Sequence, residues 1–456
     1  MQRPGHLASS TASRTSRQRS ATFVRYQPIV TLSAPLDRHV VAVEALTGAP
    51  VHAVVEDDGR AERDGLVADD LRRLRAVVAD LTALPAPGAR LLPVFVNLEP
   101  VSLSMLTPAT VHQLLHPLLQ RTSVVVEVTE RSLLHDPAGL LRGIRHLRQA
   151  GCAIAVDDVG STPAALALLS LIEPDVVKLD MGLLHDPFTP SAAATVAAVR
   201  DQADRTGALV LAEGIETRQQ EQKALSTGAD LGQGWRYGRS LGWPPVSAAT
   251  DGASPLETAL QAARRNLAVS SRHYRSPFAV LSQTHTVRRG SQRLLTQMSR
   301  HLEDQALNNT ADAVVLAALT TPAALHGLTR RRFEALGRTA TFTAVSAPGM
   351  PRRPCHGVVG QPLNPLSPIA GEWVMTVLTP FFAGMLAARP VPRPGDEARR
   401  GQSPCDDYDY AVSYDRAEVV QASRCLVREL DPLPLAVDHG RRSPAGEVSP
   451  RLDAER

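Results

Sequence analysis

The sequence predicts an α/β chain, a (β/α)8 barrel followed by a smaller α/β domain. Three observations predict it. Short apolar runs alternate with helical patterns that stop at glycine, six of those runs each deliver a polar or acidic group, and the pattern changes after Trp243, Pro244 and Pro245. Continuous apolar runs are typical of strands buried on both faces, and the catalytic residues of such barrels sit at strand C-terminal ends.

The strand candidates come in order. Val24 to Leu32 and Val40 to Leu46 lead, followed by Leu91 to Leu98, Val124 to Val128, Ala153 to Val156, Val176 to Leu179 and Ala208 to Leu211. Helical patterns lie between them: Leu133 to Ala150 stops at Gly151, Ala192 to Thr206 at Gly207, and Thr217 to Thr227 at Gly228, in the manner of C-terminal glycine caps. About seven or eight such units over roughly 220 residues suit a closed barrel better than an open sheet. Periodicity alone leaves a doubly wound sheet open, because its ligands also bind at strand C-termini.

The second region reads as follows. Ser271 to Gln283 is a loop then a strand, Arg293 to Gln305 an amphipathic helix, Ala313 to Leu319 a strand and Pro322 to Leu336 a helix. Strand-like pieces at Ala340 to Val345 and Gly357 to Gln361 precede a long apolar helix from Gly371 to Ala388. Tyr408 to Leu430 adds a strand and a helix that pack back on this domain. The resulting boundaries are a disordered basic tail (1–21), the barrel (22–245), a linker (246–261), the second domain (262–432) with an internal Pro/Gly-rich loop (390–404), and a disordered tail (433–456).

Bulk properties bound the function classes. A net charge of +3 is near balance and points to neither nucleic acid nor membrane. Apolar residues at 43% with aromatics at only 4% require cores built from Ala, Leu and Val. Cys152, Cys355, Cys405 and Cys425 are dispersed, which argues against a zinc ribbon or disulfide framework and fits a reducing compartment. Arg3, Arg14, Arg17 and Arg19 precede no apolar segment and read as a tail rather than an organellar targeting peptide. Trp373 to Ala388, the longest apolar stretch, is too short and too broken by Pro380 to span a membrane, so the expected location is cytoplasmic.

The polar groups at the strand ends are Glu44, Asn97, Glu127, the pair Asp157 and Asp158, Lys178, and Glu213. A carboxylate at the edge of an apolar core is expensive unless paired or coordinated to a cation. One such residue could cap a helix, but six recurrences indicate a metal site. Five carboxylates and one amide, without Cys or His, form an all-oxygen set of the kind preferred by Mg²⁺ or Mn²⁺ over zinc. The adjacent aspartates suggest two ions, an arrangement at about 4 Å that suits phosphodiester cleavage.

These residues also carry a resemblance. VEAL at Val43 to Leu46, VNL at Val96 to Leu98, EVTE at Glu127 to Glu130, DDVG at Asp157 to Gly160, KLD at Lys178 to Asp180, AEGIE at Ala212 to Glu216 and QGW at Gln233 to Trp235 resemble, in order, the EAL-domain family of cyclic di-GMP phosphodiesterases. The resemblance implies a modified (β/α)8 barrel that hydrolyses cyclic di-GMP to linear pGpG with two Mg²⁺ or Mn²⁺ ions. It implies metal-ligand roles for Glu44, Asn97, Glu127, Asp157, Asp158 and Glu213. Lys178 would hold or activate the attacking water, Gln233 would orient water or substrate, and Glu130 would steady the loop after the Asp pair. Glu216 closes the AEGIE motif.

Residues from about 262 to 430 resemble, less specifically, the DICT sensory domain of bacterial signalling proteins, through Gly371 to Pro390 and Tyr408 to Leu426. That resemblance implies a domain that senses an unnamed signal or partner and modulates the barrel; plain dimerisation is the competing reading. EAL domains often dimerise through the region after the Asp pair, so a homodimer is one expectation.

Other readings of single residues are blander. Lys178 could be salt-bridged to Asp180, and Glu130 and Glu216 could be first-turn helix residues facing a positive dipole. His112 and His116 read as a solvated helix face, and Arg330, Arg331 and Arg332 as an exposed stripe. Cys355 beside His356 is too little for a metal or a nucleophile.

The pattern departs from the family in two places. The family motif continues as EALxR, whose Arg contacts a substrate phosphate; here that position is Gly48. The loop after the Asp pair has become Val159 to Ala165 and carries Pro163, which restricts the backbone and alters the region used for dimerisation. These changes touch substrate grip and loop control and leave the metal ligands in place. The expectation is therefore a cyclic di-GMP phosphodiesterase regulated by its C-terminal domain. A cyclic di-GMP receptor without turnover is the alternative, and a generic two-metal phosphohydrolase comes third.

Overall fold

A computed structural model describes residues 23–32, 39–48, 59–83, 90–129, 136–160, 163–180, 182–183, 189–242, 246–247, 256–258, 260–261, 275–308, 313–391 and 407–431. Both terminal tails, Glu130, Ser161, Thr162 and Cys405 lie outside these residues.

The first half is a closed eight-stranded barrel. β1 (Val24–Thr31) and β2 (Val40–Thr47) pair antiparallel, with Gln27 opposite Glu44. Helix α1 (Gly59–Ala83) leads to β3 (Arg90–Leu91), which forms a small separate sheet with β10 (Val246–Ser247). The barrel then continues in parallel from β2 through β4 (Val94–Leu98), β5 (Val124–Thr129), β6 (Ala153–Val159), β7 (Val176–Leu179), β8 (Leu209–Ala212) and β9 (Leu231–Gln233). β9 closes on β1 antiparallel. A (β/α)8 barrel has eight parallel strands; the reversed β1 is what modifies this one.

Helices α2 (Pro100–Met105), α3 (Pro108–Leu119), α4 (Pro137–Ala150), α5 (Pro163–Ile172), α6 (Pro190–Thr206) and α7 (Arg218–Ser226) connect the strands. Their ends follow local chemistry. Asp136 accepts from Gly139 N–H to start α4, Thr189 accepts from Ala192 N–H to start α6, and Thr217 with Gln220 forms a capping box on α7. Gly151 and Gly207 end α4 and α6 in the left-handed conformation.

Strand alternation divides the core in two. Outward-facing Val94, Val96, Val124, Val126, Ile154, Val156, Val177 and Val210 pack beneath the helices. Inward-facing Ala42, Phe95, Val125, Ala155, Val176, Leu211 and Leu231 form a separate plug inside the barrel. Leu256 and Leu260, within the segment read as a linker, are buried in that plug.

The second domain is a seven-stranded mixed sheet ordered β11-β17-β16-β15-β12-β13-β14. In chain order it comprises α8 (Pro277–Thr284), β11 (Arg288–Ser291), α9 (Gln292–Asn308), β12 (Val314–Ala318), a 3-10 turn (Pro322–Ala324), α10 (Gly327–Thr339), β13 (Phe342–Pro348), β14 (Val359–Leu363), β15 (Trp373–Leu378), β16 (Ala383–Pro390), β17 (Asp407–Ser413) and α11 (Arg416–Val427). The apolar residues of α9 and α10 cover one face and those of α8 and α11 the other.

Three expectations need correction here. The predicted helix from Gly371 to Ala388 is the antiparallel hairpin β15–β16. Both strands are buried on two faces, so they show no alternation, and Pro380 sits in the turn where a helix would have been broken. The segment predicted to end as a strand before Gln283 is α8, started by Ser276, whose hydroxyl accepts from Ala279 N–H, with Pro277 at the first helical position. The helix predicted from Pro322 begins only at Gly327, after the 3-10 turn.

The two halves touch through α5 and α11. Arg424 donates to Leu171 O at 2.7 Å and to Glu173 Oε2 at 2.9 Å, and Arg416 donates to Ser170 Oγ at 3.2 Å. Arg148 donates to Ile172 O from the barrel side. Two guanidinium groups, one from each half, thus satisfy the carbonyls left over at the C-terminus of α5.

Candidate active site

The plug explains where the polar residues go. Side chains on one face of a strand recur every second residue. Two positions beyond Ala42, Phe95, Val125, Ala155, Val176, Leu211 and Leu231 stand Glu44, Asn97, Glu127, Asp157, Lys178, Glu213 and Gln233. Each strand climbs through the apolar plug and places its next inward residue at the C-terminal end of the barrel.

Asp158 is the exception, since it follows Asp157 directly and would face outward in a regular strand. A bulge interrupts the β6–β7 register between Val156 and Val159, and Asp158 adopts φ 57°, in the left-handed region. The irregularity re-aims the chain and brings Asp158 into the cleft wall. Gly160 follows at φ 104°, where a Cβ would lie 2.3 Å from Leu183 Cδ1. Gly234 lets β9 approach the backbone of Ile215, whose nitrogen would be 2.3 Å from an added Cβ.

Two groups of contacts form the floor. The Glu44 carboxylate accepts from Asn97 Nδ2 at 3.0 Å and from Gln233 Nε2 at 2.6 Å. Lys178 Nζ lies 2.7 Å from Glu127 Oε1, 2.7 Å from Glu213 Oε1 and 3.2 Å from Asp157 Oδ1. Its partners are these three carboxylates and not Asp180, which instead accepts from Gly182 N–H at 2.6 Å. Lys178 attracts Glu127 electrostatically, yet both Glu127 oxygens lack a well-aligned hydrogen bond among the described residues. Asp157, Asp158 and Glu213 each bring a carboxylate oxygen within 4.8 Å of the others.

The electrostatics show a surplus of negative charge. Burial pushes the Glu127 carboxyl well above its ordinary value, and the charge on Glu44 adds to it; Lys178 offsets only part. Burial likewise raises Glu213 to about 8, against the pull of Lys178. Burial would lower the Lys178 ammonium, but Glu127, Glu44, Glu213 and Asp157 together hold it well above normal. For Glu44, burial is outweighed by Lys178 and by the amide donors, and its value falls. One lysine does not balance five carboxylates, and the excess all-oxygen donor set, whose fully buried Glu127 shares its cation Lys178 with two other carboxylates, fits hard divalent cations.

A cleft of about 390 Å³ opens above this floor, with Gln27, Asp180, Glu216 and Trp235 in its walls. Glu216 is exposed and precedes the cap Thr217, outside the first turn of α7. Gln27 has no signal in the sequence, and Trp235 has none beyond closing the QGW motif; the antiparallel pairing of β1 with β2 is what sets Gln27 opposite Glu44. Trp235 is 57% exposed and carries the Arg239 guanidinium 4.4 Å from its ring centroid. His112 and His116 are exposed and stacked on α3, away from this cleft.

The family model for the EAL domain matches residues 11–240, half of the chain. The chain belongs to the EAL domain family. Residues 278–390 match the sensory domain in diguanylate cyclases and two-component systems, DICT. The EAL region is 29% identical over 227 residues to the cyclic di-GMP phosphodiesterase NbdA of Pseudomonas aeruginosa, covering 48% of this chain and 29% of that protein. It is also 29% identical over 238 residues to the probable cyclic di-GMP phosphodiesterase PdeB of Escherichia coli, covering 48% and 42%. The chain thus spans less than half the length of these curated relatives. Among solved structures, the calcium and cyclic di-GMP complex of BlrP1 from Klebsiella pneumoniae is 27% identical, with a TM-score of 0.41 over 50% of this chain and 59% of that one.

Proposed function

We propose that the EAL barrel is a metal-dependent phosphodiesterase that hydrolyses cyclic di-GMP to linear pGpG under the control of the DICT domain. The observation that carries this reading is the convergence, on one barrel mouth, of six oxygen-donor residues with a buried lysine among them. Glu44, Asn97, Glu127, Asp157, Asp158 and Glu213 would hold two Mg²⁺ or Mn²⁺ ions. When bound, such ions polarise a phosphodiester and stabilise its attacking and leaving oxygens.

The chain's own residues supply the rest. Lys178 is held protonated by its carboxylate neighbours, so it donates to the attacking water rather than taking its proton. Glu213, with its side chain 22% exposed, is the most open of the three carboxylates around Nζ; it would accept that proton in its ionised form, which a neighbouring cation would favour. Water oxygen bonds to phosphorus, the bond from phosphorus to the 3′ oxygen breaks, the 3′ oxygen takes up a proton from solvent, and the product carries a 5′ phosphate and a 3′ hydroxyl. Gln233, anchored on Glu44 through Nε2, keeps its buried Oε1 without a donor among the described residues and turns it to water or substrate. Glu130 is assigned the support of the loop after Asp158.

The DICT domain reaches this site through α11, which caps the C-terminus of α5, the helix that follows the Asp157–Asp158 strand. A second reading, a receptor that binds cyclic di-GMP without turnover, is favoured by Gly48, where the phosphate-binding Arg of the family is missing.

Chromatography of cyclic di-GMP incubated with the full chain and Mn²⁺ separates these readings when run beside equilibrium binding. The phosphodiesterase reading expects pGpG from the natural chain and none from Glu44→Ala. Saturable binding with no pGpG would replace it with the receptor.

A further inference from the structure

The DICT domain holds a cavity of about 260 Å³ between α9, α10 and the sheet face formed by β12, β15 and β17. It lies on the side of the sheet opposite α11 and is remote from the barrel cleft. Three aromatic residues line it: Phe333 from α10, Trp373 from β15 and Tyr408 from β17, the last two meeting edge to face with centroids 5.6 Å apart.

The polar groups in this cavity are out of place for a packing core. Along α9, Leu295, Leu302 and Ala306 face the sheet, yet Ser299 and Glu303 are also 95% buried on that side. The Ser299 hydroxyl has no hydrogen-bond partner among the described residues, a costly state for a buried polar atom. Glu303 is neutralised by Arg332, which also binds Asp304 at 2.6 Å. Arg332 is therefore not part of an exposed arginine stripe, as the sequence suggested; it is partly buried in the cavity wall. Arg300 lines the same space one turn from Glu303 and has no ion pair among the described residues. With Arg332 shared between Glu303 and Asp304, the Arg300 guanidinium is the cation of the lining not engaged in an ion pair among the described residues, beside an unanswered hydroxyl and flat apolar walls.

We propose that this cavity is the ligand site of the DICT domain and that it takes a small planar aromatic acid, its ring against Phe333 and Trp373, its carboxylate on Arg300 and a ring substituent on Ser299. A dry cavity of about 150 Å³ holds benzene, so this one accommodates roughly ten non-hydrogen atoms. Aromatic walls with a few convergent polar groups are the usual make-up of a small-molecule site. β15 sends Trp373 and Met375 into the cavity face, while Thr376 on its other face bonds Ser423 of α11 at 3.1 Å. An occupant would therefore touch a strand whose opposite face hydrogen-bonds the helix that caps α5. The assignment deepens the regulatory part of the proposed function and rests on it only for the consequence of binding.

Ligand-observed NMR titration of the full chain tests the site directly, with 4-hydroxybenzoate as the probe and neutral 4-hydroxybenzamide as its near-isostere. Binding is measured without cyclic di-GMP, so a failed phosphodiesterase assay leaves this result standing. The acid is expected to bind at least tenfold tighter than the amide. Arg300→Gln should remove that preference, and Thr296→Trp, placed on the accessible side of α9 where the ring fills the cavity, should abolish binding of both. Equal affinity for acid and amide, affinity unchanged in both variants, or no binding of either probe at millimolar concentration overturns the proposal.

Discussion

Glu127 in the barrel and Glu303 in the DICT domain are both buried carboxylates beside a cation, and they differ in how completely that cation answers them. Arg332 donates Nε–H to Glu303 and an Nη2–H to Asp304, and Arg300 one turn away supplies the second cation, so this cluster balances within the protein. Lys178 faces Glu127, Glu213 and Asp157 at once, and both Glu127 oxygens remain without an aligned donor among the described residues. A buried ion pair that closes on itself is structural or organises an uncharged or singly charged ligand. A buried cluster left with net negative charge requires cations from outside.

The largest effect should come from deleting each cation. Removing one partner of a buried pair costs about 3–5 kcal/mol, so Lys178→Met and Arg332→Met should both lower stability in urea unfolding without metal. Added Mn²⁺ should restore much of the loss in Lys178→Met and none in Arg332→Met. Rescue of both, or of neither, would erase the distinction between the two sites.

Next in size is Gly48→Arg. A Cβ at Gly48 meets nothing within 4 Å, so the side chain can be accommodated at the end of β2. A regained charge-assisted hydrogen bond to a phosphate is worth about 1.5–3 kcal/mol, roughly ten- to a hundredfold in cyclic di-GMP affinity. Calorimetry would show it; unchanged affinity would mean that this strand end does not face the phosphates.

The two tryptophans offer a third contrast. Trp235→Ala should weaken cyclic di-GMP binding by about 1–2 kcal/mol, the scale of base stacking on an aromatic ring, while Trp373→Ala leaves it unchanged. A smaller effect is expected where the halves meet. Arg424→Gln removes donors from the end of α5 and should cost about 1 kcal/mol of stability in thermal unfolding. It should also uncouple turnover from the DICT domain, so that Thr296→Trp alters the rate of the natural chain but not of this variant.

The barrel was legible in the sequence for a physical reason. Its strands are buried on both faces and read as unbroken apolar runs, each ending two residues past a plug residue at a polar one, as Phe95 and Asn97 do. The same property hid β15 and β16, which are equally buried but are joined by a tight turn, and together resemble one long apolar helix. Ser276 and Pro277 carried the signal for α8 that the apolar content of its neighbours obscured. The bulge that turns Asp158 into the cleft depends on the β6–β7 register, which no local sequence pattern records. The pairing of Glu303 with Arg332, 29 residues apart, is likewise a product of how α9 packs on α10.

If the carboxylate surplus at the barrel mouth is a divalent-cation site, the protein binds Mn²⁺ there without substrate. Calorimetric titration of the full chain with Mn²⁺, natural and Asp157→Asn, tests it most directly. Saturable binding of about two ions per chain is expected, weakened by at least tenfold in the variant. No saturable binding, or identical isotherms for the two proteins, would contradict it.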